Sequence, residues 1–355
     1  MEPYRVGILG ATGLVGQRLV ERLDGHPWFR VTALAASERS AGRPYSDAAN
    51  WRLSDGPPDA AKGLVVRGCL VEEMQDCDLV LSALDSPVAH DVEPRFAAAG
   101  FPVISNSSAF RQHDEVPLVV PEVNASHLDL IEQPRRRNAG GYIVTNPNCS
   151  TTGLVLAMAP LDRAFGVERL VVATLQAVSG AGTEGPRALD LLDNVIPCIP
   201  GEEEKLEREM GKLLGKLEGS TLRRAKLAVS AHCHRVPTID GHLEAVSVGL
   251  KRSADPDEVA AALREFRGET AEDDLPSGTA RPILVRDEPD RPQPRLDRDC
   301  GNGMTVVVGR IRPCPVLDVR LVLLSHNTVR GAAGGTLLNA ELLAARGRLP
   351  RRNGV

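Results

Sequence analysis

The sequence predicts an α/β protein of two domains, the first built on a parallel sheet and the second an α+β fold with a mainly antiparallel sheet. Short apolar runs alternate with helical stretches in the first half of the chain, which is the rhythm of βαβ units. After Cys149 come β-like stretches with alternating or fully apolar patterns, mixed with helices, which favours antiparallel pairing. A length of 355 residues is also too long for one ordinary core.

Five strands and two helices are predicted before Cys149. The strands are expected at residues 6–9, 31–36, 64–66, 79–83 and 102–105. The helices are expected at residues 14–23 and 91–99. Strands that alternate with helices in this way predict a parallel sheet with helices on both faces.

The second half mixes strands and helices without that regular rhythm. Helices are predicted at residues 150–165, 203–217, 256–266 and 331–346. Strands are predicted at residues 169–177, 225–229, 243–250, 305–312 and 318–324. Residues 287–303 are rich in Pro, Asp and Arg, which is typical of an exposed loop.

The composition argues against several classes of partner. The chain has 42 basic and 47 acidic residues, and its one dense basic run is residues 135–137, so we expect no nucleic acid partner. No apolar run is long enough to span a bilayer, so we expect no membrane partner and a cytoplasmic location. The seven scattered cysteines are odd in number, which favours free thiols in a reducing compartment over a disulfide framework.

The triplet His232-Cys233-His234 has residue types that can bind a metal. On a strand, however, Cys233 would face away from both histidines, and no complementary group is evident nearby. We therefore interpret the triplet as structural and expect no metal site.

A glycine-rich turn with the sequence GATGLVG occupies residues 10–16, between a predicted strand and a predicted helix. In that context the pattern predicts a Rossmann-type dinucleotide-binding domain, although a glycine-rich turn without a ligand is the alternative. Gly10 permits the tight turn, Gly13 lets backbone N–H groups approach a pyrophosphate, and Gly16 permits close helix packing. The predicted cofactor-binding residues of this turn are Gly10, Thr12, Gly13, Leu14 and Val15.

The end of the second predicted strand distinguishes NADP from NAD. It reads Ser37-Glu38-Arg39-Ser40. Arg39 could bind a 2′-phosphate through two hydrogen bonds, and Ser37 and Ser40 could donate hydrogen bonds to the same group. Glu38 could instead accept a hydrogen bond from the ribose hydroxyl of NAD. The stretch as a whole favours NADP(H).

Cys149 lies in the turn Asn-Pro-Asn-Cys, directly before a long apolar helix. A thiol at a helix N-terminus is close to unpaired N–H groups, which should lower its pKa and could also stabilise an oxyanion. The alternative is a buried cysteine that acts as a small hydrophobic residue. The polar turn favours a nucleophile.

A thiolate beside a nicotinamide can attack an aldehyde, and the resulting thiohemiacetal is a good hydride donor that leaves a thioester. This chemistry needs a proton carrier, which is most often histidine. His242 is the candidate, because it ends the stretch HRVPTIDGH and has an arginine, Arg235, close by in the chain. Four other histidines lie in surface-like stretches without such neighbours, namely His26, His90, His113 and His127.

Two further stretches could bind anions. Residues 105–111, SNSSAFR, follow the last strand of the first domain, where doubly wound sheets bind ligands. Residues 201–205, GEEEK, open a predicted helix, and acidic capping of its first turn is the alternative interpretation.

Seven motifs in a fixed order make the chain resemble the aspartate-β-semialdehyde dehydrogenase family over nearly its whole length. The motifs are GATGLVGQ, SNSSAFR, NPNCSTTG, QAVSGAG, GEEEK, HRVPTIDGH and SHNTVRGAAGGTLLNAE. Three stretches, NPNCSTTG, SHNTVRGAAGG and SERSAG, are most similar to the branch found in archaea and fungi. The resemblance implies NADPH-dependent reductive dephosphorylation of aspartyl phosphate to aspartate semialdehyde, on the route to lysine, threonine and methionine.

The resemblance also implies roles for individual residues. Cys149 would be the acyl-forming nucleophile, His242 the acid–base catalyst, and Gln176 a group that positions the intermediate. Arg235 would pair with the substrate carboxylate and Glu202 with its ammonium group, although the choice among the three consecutive glutamates 202–204 stays open. The implied phosphate-binding residues are Arg111, Lys205 and Asn148. The implied cofactor-binding residues outside the two stretches above are Ser82, Ser179, Gly180 and Asn327.

We expect residues 1–148 together with 327–355 to form the NADP-binding domain, and residues 149–326 to form the catalytic and dimerisation domain. The family further implies a homodimer or homotetramer. Two alternatives remain for the function. One is an acyl-CoA reductase such as malonyl-CoA reductase, which would share the cysteine, histidine and cofactor loop. The other is a non-catalytic dinucleotide-binding relative, which would be marked by loss of Cys149 or His242.

Overall fold

The computed structural model describes residues 2–53 and 55–352, so Met1 and residues 353–355 of the expected first domain lie outside the described residues. The first sheet contains β1 Tyr4–Leu9, β2 Phe29–Ala36, β3 Arg67–Gly68, β4 Leu79–Ser82, β5 Pro102–Ser105 and β6 Tyr142–Thr145. All neighbouring pairs are parallel, in the order β3-β2-β1-β4-β5-β6. The order reverses between β1 and β4, which opens a crevice at the carboxyl ends of the strands. The predicted α/β class is confirmed.

Helices of very different length connect these strands and those of the second half. The α-helices are α1 Leu14–Arg22, α2 Tyr45–Ala48, α3 Asp59–Lys62, α4 Ser86–Ala98, α5 Pro121–Asn124, α6 Glu132–Arg137, α7 Cys149–Phe165, α8 Ala188–Leu191, α9 Glu202–Leu213, α10 Pro256–Glu265, α11 Pro294–Asp297 and α12 Gly334–Ala345. Single 3-10 segments occur at Val71–Met74, Ala125–Ile131 and Val178–Glu184, and a π-helical turn at Val329–Ala333 leads into α12.

The second sheet is mainly antiparallel, as predicted. It contains β7 Val167–Gln176, β10 Ala228–Arg235, β11 His242–Leu250, β12 Ile283–Val285, β13 Val306–Pro313 and β14 Val319–Ser325, while β8 Lys216–Glu218 and β9 Thr221–Arg223 form a separate hairpin. In the order β10-β7-β11-β14-β13-β12 the three central pairs are antiparallel. The pair at each edge is parallel, which the sequence did not predict.

Two helices that are buried on nearly every side, α7 and α12, lie against the two sheets. Most residues of α7 are fully buried against β7, β11 and β14, and Gly153 lies so close to β14 that a Cβ there would be 2.7 Å from Ser325 Cβ. The C-terminal helix α12 packs instead in the core of the first sheet, through residues such as Leu337 and Leu342. The chain therefore returns to the first sheet after completing the second.

Several predicted boundaries are wrong for tertiary reasons. Residues 64–66 are not a strand. The edge strand β3 begins directly after them, where Arg67 and Gly68 pair with β2. The helix expected at 203–217 begins at Glu202 and ends at Leu213, where the chain turns into the β8–β9 hairpin. The strand expected at 225–229 is β10, which starts at Ala228 and continues to Arg235.

The stretch at residues 287–303 was expected to be an exposed loop, and this is wrong for its middle. It contains the short helix α11. Asp297, at the end of that helix, is fully buried and accepts hydrogen bonds from Arg291 Nε and the Gln293 N–H, each at 2.7 Å. These hydrogen bonds hold Asp297 against Arg291 and Gln293, earlier residues of the same segment.

A buried ion pair joins the start of the C-terminal segment to the first half of the chain. Arg330, in the π-helical turn, donates two hydrogen bonds of 2.6 Å to Glu122 of α5, one to each carboxylate oxygen. Arg330 is 1% exposed and Glu122 4%. Two parallel hydrogen bonds between buried charges fix the orientation of the turn, which lies directly against Cys149.

Replacing Arg330 with Met should destabilise the protein by about 3–5 kcal/mol, because Glu122 would remain buried without its counter-charge. The measurement is the midpoint of urea unfolding. Arg137→Met is the matched control, since Arg137 pairs with Glu115 at 2.9 Å but both side chains are more than half exposed. The control should change the unfolding free energy by less than about 1 kcal/mol. Equal losses in the two variants would contradict this account.

Candidate active site

The glycine-rich turn between β1 and α1 has the shape that a pyrophosphate requires. Gly10 has a φ of +78°, and a Cβ at this position would lie 2.7 Å from the Ala83 carbonyl oxygen. A Cβ on Gly16 would lie 2.2 Å from the Gly10 carbonyl oxygen, so α1 can approach the turn only with glycine there. Gly13 precedes the helix and offers no side-chain cap, which leaves the first N–H groups of α1 for a ligand. The turn therefore fits a dinucleotide.

The residues expected at the 2′-phosphate lie at the carboxyl end of β2. Ser37, Glu38 and Arg39 are exposed and Ser40 is half-buried, in a turn where the Ser40 N–H donates to the Ser37 carbonyl at 2.8 Å. Ser82, the last residue of β4, is fully buried opposite Leu9. These residues do not line the cleft around Cys149.

Asn148 caps α7 and thereby fixes the position of the next residue, Cys149. Its Oδ1 accepts hydrogen bonds from the backbone N–H groups of Ser150 at 3.0 Å and Thr151 at 3.3 Å. Its own backbone N–H donates to Glu209 at 2.6 Å, and its Nδ2 donates to Glu202 at 2.7 Å. Asn148 is thus held at three points.

Cys149 and His242 form the central pair of the site. Cys149 Sγ lies 3.1 Å from His242 Nε2. The other ring nitrogen, Nδ1, accepts a hydrogen bond from the Ala177 N–H at 3.0 Å. Because Nδ1 is an acceptor, the proton of the neutral imidazole belongs on Nε2, facing the sulfur. Gly331 closes the other side, where a Cβ would be 2.7 Å from Cys149 Cβ.

Both members of the pair are uncharged near neutral pH in the unliganded cleft. Burial, assisted by the charge of Glu202, raises the pKa of Cys149 to about 12, and the lowering effects of Arg235, Arg111 and the Ser150 N–H are smaller. Burial and the nearby Arg235 lower the pKa of His242 to about 3. The expectation that the helix N-terminus would lower the pKa of Cys149 is therefore wrong, since loss of solvation outweighs the local dipole.

Two of the cations near Cys149 are paired with carboxylates. Arg111 Nη1 donates to Glu209 at 3.0 Å, and Lys205 Nζ donates to Glu202 at 3.0 Å. Glu202 is buried, and its pKa is lowered because Lys205 and Asn148 together outweigh the opposing effect of burial. Of the three consecutive glutamates, Glu202 is the one directed into the cleft.

Arg235 and Gln176 lie side by side at the carboxyl ends of the parallel strands β10 and β7. Arg235 Nη1 donates to the Ala177 carbonyl at 2.7 Å, and Gln176 Nε2 donates to Thr174 Oγ1 at 3.3 Å. Gly180 packs against this group, since a Cβ there would lie 2.9 Å from Arg235 Nη1 and 3.2 Å from His242 Nε2.

Asn327 connects the C-terminal segment to the loop around Gly180. Its Nδ2 donates to Ser179 Oγ at 2.8 Å, and its Oδ1 accepts from the Gly241 N–H at 2.8 Å. The amide is 2% exposed, so its orientation is fixed by these two contacts.

These groups surround one cleft with a volume of about 380 Å³. It brings together most of the residues predicted for substrate and nicotinamide. The predicted residues that line it are Val15, Arg111, Asn148, Cys149, Ser179, Gly180, Glu202, Lys205 and Asn327. His242 and Arg235 lie against Gly180, and neither they nor Gln176 line the cleft.

Comparison with known proteins decides the family. Two family profiles match, "Semialdehyde dehydrogenase, NAD binding domain" over residues 5–131 and "Semialdehyde dehydrogenase, dimerisation domain" over residues 158–330. An aspartate-semialdehyde dehydrogenase of Archaeoglobus fulgidus is 51% identical over 341 residues, which cover 96% of this chain and 98% of that protein. The chain belongs to the aspartate-semialdehyde dehydrogenase family. The predicted family is confirmed.

Fungal members of the family are similar in both sequence and structure. The aspartate-semialdehyde dehydrogenase of Cryptococcus neoformans is 46% identical over 355 residues, which cover 97% of each chain. The crystal structure of the Candida albicans enzyme with NADP matches with a TM-score of 0.91 and 42% identity, covering 98% of this chain and 100% of that one. The likeness to archaeal and fungal members agrees with the branch expected from the sequence.

Sequence analysis did not identify Glu209 and Lys212, two buried residues of α9 that hold neighbouring residues of the site in place. Glu209, 1% exposed, binds both Arg111 and the Asn148 N–H. Lys212 is fully buried and donates to three backbone carbonyls, those of Arg111, His113 and Val116. The signal was the spacing 202, 205, 209, 212, which places four charged side chains on one face of a helix.

Glu244 is a second feature that the sequence did not indicate. It is fully buried on β11, two residues after His242, and burial raises its pKa well above the usual range. Burial therefore favours the uncharged form of this carboxyl.

Other expected features of the chain can be located in the described residues. All seven cysteines are free thiols, and Cys233 is buried while His232 is exposed, as expected for neighbours on a strand. Residues 2–53 and 55–352 contain no group of three or more His, Cys, Asp or Glu side chains arranged to hold a metal ion. Within the same residues, no helix is both long enough and apolar enough to cross a membrane.

The raised pKa of Cys149 predicts how its reactivity depends on pH. Without ligands, the rate of alkylation by iodoacetamide should rise about tenfold per pH unit between roughly pH 6 and 9, because only the thiolate reacts. Mass spectrometry of the peptide that contains Cys149 separates it from the other six cysteines. A plateau reached near pH 7 would show that the thiol is already ionised and would contradict this account.

Proposed function

We propose that the protein catalyses the NADPH-dependent reductive dephosphorylation of L-aspartyl 4-phosphate to L-aspartate 4-semialdehyde, through a thioester on Cys149. The reaction belongs to lysine, threonine and methionine biosynthesis. The observation that supports it most is the Cys149–His242 pair at 3.1 Å, whose cysteine lines one cleft with an acid and two cations. The relatives named above bear this activity in their names.

The charges of the cleft match those of the proposed substrate. Aspartyl phosphate carries an ammonium group, a carboxylate and a phosphate. Glu202 is the proposed partner of the ammonium group, and Arg235 that of the carboxylate, which a guanidinium binds through two parallel hydrogen bonds. Arg111 and Lys205, with Asn148 beside them, are the proposed phosphate-binding residues.

In the proposed reaction, Cys149 Sγ attacks the acyl carbon and phosphate leaves, so that a thioester forms on the sulfur. The thiol must lose its proton in this step, and the departing phosphate can take it up. An ammonium group at Glu202 would favour this loss, because it neutralises the Glu202 charge, which adds to the effect of burial in raising the pKa of Cys149. The N–H groups of Ser150 and Thr151 at the start of α7 donate to Asn148 Oδ1, so they are not free to stabilise the developing oxyanion.

His242 is the proposed acid–base residue, and Gln176 the residue that helps to position the acyl group. The hydrogen on His242 Nε2 faces the sulfur and therefore the carbon attached to it. Bound NADP(H) would supply or accept the hydride. The residues proposed to hold it are Gly10, Thr12, Gly13, Leu14, Val15, Ser37, Arg39, Ser40, Ser82, Ser179, Gly180 and Asn327.

The acyl-CoA reductase alternative is less well supported. Malonyl-CoA has no ammonium group, so Glu202, 9% exposed in the cleft, would face it without a positive partner from the substrate. A non-catalytic relative is disfavoured by the close contact between Cys149 and His242.

With aspartate semialdehyde, the purified protein should reduce NADP over many turnovers only when inorganic phosphate is present. NADPH absorbance measures the rate. Cys149→Ser should abolish activity, and His242→Asn should lower kcat by roughly 10²- to 10⁴-fold, because a positioned proton carrier is lost. Activity in Cys149→Ser would contradict the proposed nucleophile. Oxidation of NADPH by malonyl-CoA, without semialdehyde turnover, would support the acyl-CoA reductase instead.

We also propose the division of the chain into residues 1–148 with 327–355 and residues 149–326. The packing of α12 on the first sheet supports this division. A cytoplasmic location is supported by the seven free thiols, which persist in a reducing compartment.

A homodimer built through the outer face of the second sheet is a further part of the proposal. On this face, Val171, Ala173 and Leu175 of β7 lie opposite Ser247, Ala245 and Leu243 of β11. Val171 is 47% exposed and Leu175 36%, which is a large exposure for apolar side chains in the middle of a sheet. The match to a dimerisation domain over residues 158–330 includes both strands.

Val171→Arg should convert the dimer into a monomer, because a charge would be buried at the centre of the interface. Light scattering after size exclusion measures the mass in solution. Val88→Arg is the matched control: Val88 is also 47% exposed, but it lies on α4 in the first half of the chain. A dimer that survives Val171→Arg, or that is lost equally in the control, would contradict this interface.

A further inference from the structure

One face of α9 organises the proposed phosphate site. Glu202, Lys205, Glu209 and Lys212 occur at intervals of three, four and three residues, so their side chains lie along one side of the helix. Their signs alternate. Glu202, Glu209 and Lys212 contact either Asn148 or the loop that carries Arg111, and Lys205 pairs with Glu202.

Each of the two cations proposed to bind phosphate is therefore already paired with a carboxylate of the protein. Arg111 is paired with Glu209 at 3.0 Å, and Lys205 with Glu202 at 3.0 Å. Proposed substrate binding changes only one of these pairs, since the ammonium group would engage Glu202. No group of the substrate is assigned to Glu209, whose carboxylate stays next to Arg111 throughout.

Glu209 is buried, so little water screens its charge. It is 1% exposed, and its two oxygens accept from Arg111 Nη1 and from the Asn148 N–H at 2.6 Å. A carboxylate in such a position repels a phosphate bound to the same guanidinium, and low solvent exposure strengthens the repulsion.

The position of Arg111 does not depend on Glu209 alone. Lys212 Nζ donates to the backbone carbonyls of Arg111 at 2.7 Å and His113 at 2.6 Å, which ties the loop to α9. Arg111 Nη2 also donates to the Asn106 carbonyl at 2.7 Å. Removing the charge of Glu209 should therefore leave the guanidinium in place.

We infer that Glu209 is a positioning residue whose negative charge keeps phosphate binding at Arg111 weak. This inference rests on the proposed function, in which Arg111 binds the phosphate of substrate and product. Weak binding suits a reaction that must release phosphate after each acyl transfer, because tight binding of the product would slow turnover.

The test is Glu209→Gln in the full chain, assayed with semialdehyde, NADP and varied inorganic phosphate. Gln has nearly the same shape but no charge, and its single acceptor oxygen can keep one of the two hydrogen bonds that the Glu209 carboxylate accepts. The KM for phosphate should fall roughly tenfold, the size expected when one nearby buried charge is removed. The KM for semialdehyde should change little. Loss of a merely structural contact would instead raise the KM for phosphate and lower kcat.

Two further variants distinguish the effect of the charge at Glu209 from the effect of its hydrogen bonds. Glu209→Asp retains the charge and should keep a KM for phosphate close to that of the unmodified protein. Glu207→Gln makes the same chemical change at an exposed position of α9 and should leave both KM values unchanged. Binding of inorganic phosphate, measured by calorimetry, should be tighter in Glu209→Gln alone.

An unchanged or raised KM for phosphate in Glu209→Gln would overturn the inference. So would a fall of equal size in Glu209→Asp or Glu207→Gln, because charge at this position would then not be the cause. Failure of the proposed function has a different signature, in which the unmodified protein shows no phosphate-dependent reduction of NADP. In that case the calorimetric comparison still decides the role of Glu209 in phosphate binding.

Discussion

The arrangement of the site depends on how Asn148 is held. This residue joins β6 of the first sheet to α7 under the second, and its side chain caps the helix whose first residue is Cys149. Its remaining hydrogen-bonding groups are taken by Glu202 and Glu209 of α9. The position of Cys149 is therefore set by a third element, α9, which belongs to neither of its flanking segments. A cap held at several points costs conformational freedom, but it places the sulfur within 3.1 Å of the imidazole.

The carboxylates of α9 that hold Asn148 also reduce the free positive charge of the site. Glu209 pairs with Arg111 and Glu202 pairs with Lys205, and burial raises the pKa of the Cys149 thiol. The unliganded Cys149 is consequently a weak nucleophile, and the arrangement suggests that substrate charges complete its activation. This differs from a cysteine at an exposed helix N-terminus, where the backbone dipole alone can stabilise the thiolate. The local sequence indicates a lowered pKa for Cys149, whereas burial raises it.

Features encoded by local sequence could be predicted well. The turn at residues 10–16 was recognised because only glycine tolerates the close approaches found at Gly10 and Gly16. Cys149 was recognised because a polar turn before an apolar helix is a local pattern. Features that depend on distant contacts could not be predicted. Glu209 and Lys212 act on segments about 60 to 100 residues away along the chain, and the edge strand β3 is defined by its pairing with β2.

The central claim is that Cys149 holds the acyl group as a thioester between two steps, the exchange with phosphate and the transfer of hydride. A single-turnover experiment with semialdehyde and NADP, but without phosphate, tests it most directly. The account predicts a burst of one NADPH per active site, and a peptide containing Cys149 that gains the mass of an aspartyl group. Addition of phosphate should then discharge the label. The absence of a burst, or an acyl group on a different residue, would contradict the account.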